Sequence, residues 1–138
     1  MQRMSGGVCF VLGCAILAAA AEVNQDWLKR VPAQERVRVN PYRGQADAVA
    51  AGARLYADRC ARCHGDDLTG RNGKPSLRTP VVAGATDGEL FWLLRNGDLR
   101  HGMPSWSGLP EPERWQILAY VRSAGRAPGE AEAQQKTR

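Results

Sequence analysis

Two cysteines three positions apart, with a histidine directly after the second, are the residues here best placed to do chemistry: Cys60-Ala61-Arg62-Cys63-His64. On a helical turn, positions three apart face the same way, so both thiols can add to the two vinyl groups of one porphyrin. His64 can then bring an imidazole nitrogen under the iron. C-x-x-C-H is the attachment signature of c-type haem, and a covalent link removes the entropic cost of holding the cofactor. Three other readings use the same residues. A structural zinc site takes four ligands, whereas Cys60, Cys63, His64 and His101 stand at no familiar zinc spacing. A thioredoxin-type redox pair needs strands around it, and no segment is strand-rich. The third is a chance match in a helix–loop protein. Asp66, Asp67 and Asp98 could suggest acid–base work, but no carboxylates pair at a useful spacing. They read as loop and cap residues.

The elements that must position this motif are helices. From Gln45 to about Arg59, Val49, Gly52, Ala53, Tyr56 and Cys60 recur at three- and four-residue steps, which predicts a helix running into the motif. Gly65 to Ala85 holds four glycines and two prolines and reads as loop throughout. Thr86-Asp87-Gly88-Glu89 is a capping box that opens a second helix. Asn96-Gly97 ends it with a residue suited to the left-handed conformation. A third helix is expected from about Glu111 to Ala124, acidic at its start and carrying Arg122 near its end, as the helix dipole favours. Its apolar face is broad: Trp115, Ile117, Leu118, Ala119, Tyr120 and Val121. Residues 22–44 carry charges, Pro32 and Pro41 with no sustained period, and read as an extended arm with a short helical piece around Trp27. Residues 126–138 form a polar tail. The fold class is therefore all-α, three main helices and long loops. An apolar inventory this thin needs a staple, such as a covalently bound haem.

The whole chain has 138 residues, room for one domain. Nineteen basic residues against 14 acidic give +5, too mild for a dedicated nucleic-acid binder. Met1 to Ala21 reads as an export signal: Arg3, then 13 apolar residues from Val8 to Ala20, ending in a run of alanines. As helix, that stretch covers only about 20 Å of a ~30 Å hydrocarbon core, so no membrane span is expected after cleavage. Val11-Leu12-Gly13-Cys14 loosely resembles a lipoprotein cleavage box, which would lipidate Cys14 instead. Cleavage removes Cys9 and Cys14, leaving Cys60 and Cys63. It also removes Arg3 and no acid, so 18 basic residues against 14 acidic give +4.

Over residues 45–125 the chain resembles the class I cytochrome c family. Gly52-Ala53-Arg54-Leu55-Tyr56 ahead of the Cys60–His64 motif is similar to the family's N-terminal helix. Gly73-Lys74-Pro75-Ser76-Leu77 is similar to its proline loop, Gly102-Met103-Pro104-Ser105-Trp106 to its sixth-ligand loop, and Trp115 to Tyr120 to its C-terminal helix. The resemblance implies a small cytochrome c fold around one haem c attached through Cys60 and Cys63. It makes His64 the proximal iron ligand, with the Pro75 carbonyl accepting from its other ring nitrogen. Leu77 would pack on the haem edge or serve as an ordinary core leucine. Gly52 would let the C-terminal helix approach closely near Ile117 and Tyr120. Met103, held between glycine and proline 39 residues after His64, is the candidate distal ligand. A loop methionine that fills a core gap is the plainer alternative, and His101 is the rival ligand. Trp92 and Trp106 either border the haem or serve as core and rim aromatics.

These residues imply an exported monohaem c-type cytochrome that passes single electrons between redox partners and is not itself an enzyme. With His64 and Met103 both on the iron, no open site remains for substrate. One alternative is a haem subunit docked to a periplasmic dehydrogenase or oxidase, with residues 22–44 as its strap. The other is a haem sensor or enzyme from which Met103 dissociates. Arg59, Arg62, Arg71, Lys74, Arg78, Arg95 and Arg100 fall in segments placed near the haem, so an acidic docking face is expected on the partner. The free protein is expected to be a monomer.

Overall fold

A computed structural model describes residues 25–126. The export signal, Cys14 and nearly all of the polar tail lie outside these residues. Seven helices follow in order, and among the described residues there is no strand. They are α1 (Asp26–Arg30), α2 (Ala33–Arg36), α3 (Ala46–Arg59), α4 (Ala61–His64), α5 (Pro80–Gly84), α6 (Asp87–Asn96) and α7 (Glu111–Gly125). A 3-10 turn at Leu99–His101 lies between α6 and α7.

The three expected helices are α3, α6 and α7. Helices α3 and α7 make the most extensive contact in the fold. Gly52 is the reason they can: a Cβ there would collide with the backbone carbonyl of Gln116. From α7, Trp115, Ile117, Leu118 and Val121 enter the core. Helix α6 starts with the capping box in full. The Thr86 hydroxyl accepts from the Glu89 N–H at 3.1 Å, and the Glu89 carboxylate accepts from the Thr86 N–H at 2.7 Å. Gly97 ends it at φ +72°, though its ψ of −176° lies outside the left-handed helical region. Phe91, fully buried, stacks on Trp115 with ring centroids 3.9 Å apart and joins α6 to α7.

Two expectations need correction. The segment read as loop throughout contains α5, opened by the Thr79 side chain accepting from the Val82 N–H. Its closing carbonyls, Val82, Ala83 and Ala85, all accept from the Arg122 guanidinium of α7, a long-range partner no local pattern reveals. Residues 22–44 are not an extended arm where they are described. Here α1 and α2 fold onto the domain, burying Trp27 and Val31 at 4% exposure each. Arg36 secures this segment, donating to the Leu28 and Val31 carbonyls and, at 2.6 Å, to Glu89 of α6. Gly88 carries no side chain where the Glu35 carbonyl presses against α6. Several of the charges in the segment read as an arm, Arg30, Glu35 and Arg36 among them, are its attachments to the domain.

Candidate functional site

Cys60 ends α3 and begins the motif turn. The N–H groups of Cys63 and His64 both donate to the Cys60 carbonyl, at 3.0 and 2.9 Å, and wind the motif into helix α4. The following residue is anchored from α3, where the buried Tyr56 hydroxyl donates to the Gly65 carbonyl at 2.7 Å. Burial, helped by nearby Cys60, Tyr120 and carboxylates, pushes the Tyr56 phenol well above its usual range, so it stays a donor. Burial also pushes the Cys60 thiol up to about 11, with Cys63 beside it adding to the effect.

Cys60, Cys63 and His64 line one cavity of about 620 Å³. That is an ordinary size for a buried organic ligand. Pro75, Leu77 and Met103 line it as well, so all six site residues expected from the sequence meet in one place. Leu90, Leu94, Ile117, Leu118 and Val121 add its apolar walls from α6 and α7. His64 Nδ1 stands 2.9 Å from the Pro75 carbonyl oxygen. A carbonyl only accepts, so Nδ1 carries the proton and Nε2 keeps its lone pair. The imidazole is thereby held in the tautomer that can bind a metal.

Met103 arrives on a tight turn. Asp98 and Met103 form an isolated antiparallel bridge, Asp98 N–H to Met103 carbonyl at 2.8 Å and Met103 N–H to Asp98 carbonyl at 3.1 Å. His101 also borders the cavity, with its Nδ1 2.8 Å from Asp98 Oδ2. Trp106 lines the cavity and Trp92 does not; Trp92 instead lies beneath the Arg30 guanidinium, 5.9 Å from its ring centroid. Trp27 of α1 is a lining residue that sequence reasoning missed. Its only signal was a lone tryptophan among charges. Asp98, expected to be a loop and cap residue, is 7% exposed and pairs with Arg30 at 3.0 Å.

Residues 47–121, over half of the chain, match the family described as cytochrome c oxidase, cbb3-type, subunit III. The chain belongs to this family. It is a class I c-type cytochrome, and its cofactor is haem c. Two cbb3-type cytochrome c oxidase subunits named FixP are similar to it. The protein of Bradyrhizobium sp. (strain ORS 278) is 38% identical over 90 residues, 62% of this chain and 30% of the relative. That of Sinorhizobium medicae (strain WSM419) is 32% identical over 130 residues, 86% of this chain and 43% of the relative. A cytochrome bc1 complex cytochrome c subunit of Corynebacterium diphtheriae is 33% identical over 104 residues, 71% of this chain and 36% of the relative. The cytochrome thus spans less than half the length of these curated relatives.

The cavity suits the group the family implies. Two thiols on one turn, a pre-oriented imidazole and a thioether share it with an apolar lining, which is the donor set of a haem attached through two thioethers. The electrostatic surroundings are mixed. Arg59, Arg62 and Lys74 line the cavity, whereas Arg71 pairs with Asp66 and Arg95 with Glu35. Arg78 donates its Nε to the Asp67 carbonyl at 2.7 Å. Among the described residues, no helix is long and apolar enough to cross a membrane.

Proposed function

We propose that this cytochrome carries single electrons between redox proteins, with Cys60 and Cys63 holding the haem and His64 and Met103 as its axial ligands. The bound group supplies one-electron exchange between Fe(II) and Fe(III). The observation that carries the reading is the meeting of His64, locked by Pro75, with Met103 on one cavity. The Pro75 carbonyl fixes the imidazole and raises its basicity. Leu77, Leu90 and Ile117 line the cavity and would shield a bound macrocycle from water. With haem bound, Met103 would supply the second axial ligand, which argues for electron transfer and against substrate chemistry at the iron.

The names of its relatives favour a second form of this role, a haem subunit seated on an oxidase or another redox complex. We further propose an exported protein whose partner presents acidic groups to Arg59, Arg62 and Lys74. A pyridine haemochrome spectrum of protein matured with a haem-attachment system tests the core of the reading. An acid-stable haem band is expected, and its absence would sink the assignment of Cys60 and Cys63. Substitution then tests the ligands: Met103→Ala is expected to abolish the weak long-wavelength charge-transfer band of a ferric Met–haem, and His101→Ala to leave it.

A further inference from the structure

One buried carboxylate connects the Met103 turn to a segment that lies before the family match. Asp98 stands at the base of the turn, closed onto Met103 by the two backbone hydrogen bonds of their bridge. Its side chain is 9% exposed and has both oxygens engaged. Oδ2 faces His101 Nδ1 at 2.8 Å, and Oδ1 accepts from Arg30 Nη2 at 3.0 Å. Arg30 closes α1; Trp27 within the helix and Val31 just after it are rooted in the core, so the guanidinium reaches Asp98 from an anchored segment. Swinging the turn outward would break the pair between Asp98, whose side chain is 9% exposed, and the half-exposed Arg30 guanidinium, so opening costs the energy of that contact.

We propose that Asp98, locked by Arg30, is a positioning residue that holds Met103 at the sixth position of the iron. The proposal rests on the reading of Met103 as the distal ligand. The N-terminal segment then has a task at the site besides filling the core. Through Arg30 it restrains the one loop whose opening would expose the iron to an outside ligand.

Imidazole binding to the ferric, haem-loaded full chain tests this, because imidazole enters only when Met103 leaves. Arg30→Ala is expected to speed binding about two- to fivefold, the scale of a half-exposed charge pair. Arg30→Lys should recover part of that restraint. Lys29→Ala removes the same charge one residue away, where the side chain pairs with Asp26, and should leave the rate unchanged. Asp98→Asn disturbs this contact together with the one to His101, so it should speed binding at least as much as Arg30→Ala. The double variant should be no faster than the Asp98 single, since both remove the Arg30 contact. Equal acceleration by Lys29→Ala, or additive effects in the double variant, would overturn the proposal. A Met–haem band in the parent with no change in the Arg30 variants overturns it alone. Absence of that band in the parent overturns the Met103 reading and this proposal together.

Discussion

At the scale of single residues, the proposed site divides into groups assigned to bind the haem and groups that hold those residues still. His64 is useful because Pro75 occupies its Nδ1, and Met103 because Asp98 closes the turn beneath it. Met103→Ala should therefore lower the reduction potential, since a thioether favours Fe(II), whereas His101→Ala should change it little. Redox titration of the two variants checks both. Losing the Met–haem band in the His101 variant alone would exchange the two assignments. The binders were visible in the sequence because covalent chemistry fixes their spacing: two thiols and an imidazole must meet one ring. Of the holders, Pro75 was legible through the resemblance of its loop, and Asp98 with Arg30 was not. Asp98 and Arg30 are 68 positions apart and neither belongs to a motif, so only the folded chain brings them together.

At the scale of elements, α3, α6 and α7 were legible because each advertises itself locally. Helix α6 has its capping box and α7 a dense apolar face; α3 has a three- and four-residue period ending at the motif. The short helical piece expected around Trp27 is α1, whereas α2 and α5, four and five residues long, are too short for periodicity to show and are secured by the distant Arg95 and Arg122. Asp87 at the head of α6 ties several of these pieces together. It accepts from the Asn40 N–H at 3.1 Å, from Arg43 at 2.7 Å and from Arg122 at 3.2 Å. Burial raises its pKa, but the hydrogen bonds and charges from Arg43, Asn40 and Arg122 outweigh that and leave it below the ordinary 3.8. A carboxyl depressed in the folded state adds stability that is complete above its unfolded pKa and is lost as pH falls through the folded one. Acid unfolding of the parent should steepen below about pH 4. Asp87→Asn should flatten that part of the profile while lowering stability at neutral pH, as thermal melts against pH would read. An unchanged acid limb would mean that other carboxylates govern it. Trp27→Ala should cost about 3–5 kcal/mol for a core aromatic, whereas an arm lying free of the domain would lose almost nothing.

At the scale of the whole molecule, the cavity is large for so small a domain. Its lining includes Leu90, Leu94, Ile117, Leu118 and Val121, which are also core residues. Filling and folding are therefore expected to be one process. Cys60→Ala with Cys63→Ala should give a chain with little cooperative melting; a sharp transition near the parent temperature would show that the protein core suffices. Electron transfer to an acidic partner should slow as salt rises, because the Debye length at physiological ionic strength is about 8 Å. Stopped-flow rates that stay flat with salt would point to an apolar contact, for which Leu99, 77% exposed beside the cavity, is well placed.

The seating of Glu35 against Gly88 also bears on how this unit can be borrowed. Residues 47–121 carry the family pattern, yet the smallest piece to transplant into a fusion is longer than that pattern. Cutting the gene at the start of the match would strip Trp27 and Val31 from the core and leave Glu89 and Asp98 without Arg36 and Arg30. A portable version has to begin ahead of Trp27, with any linker joined upstream of α1.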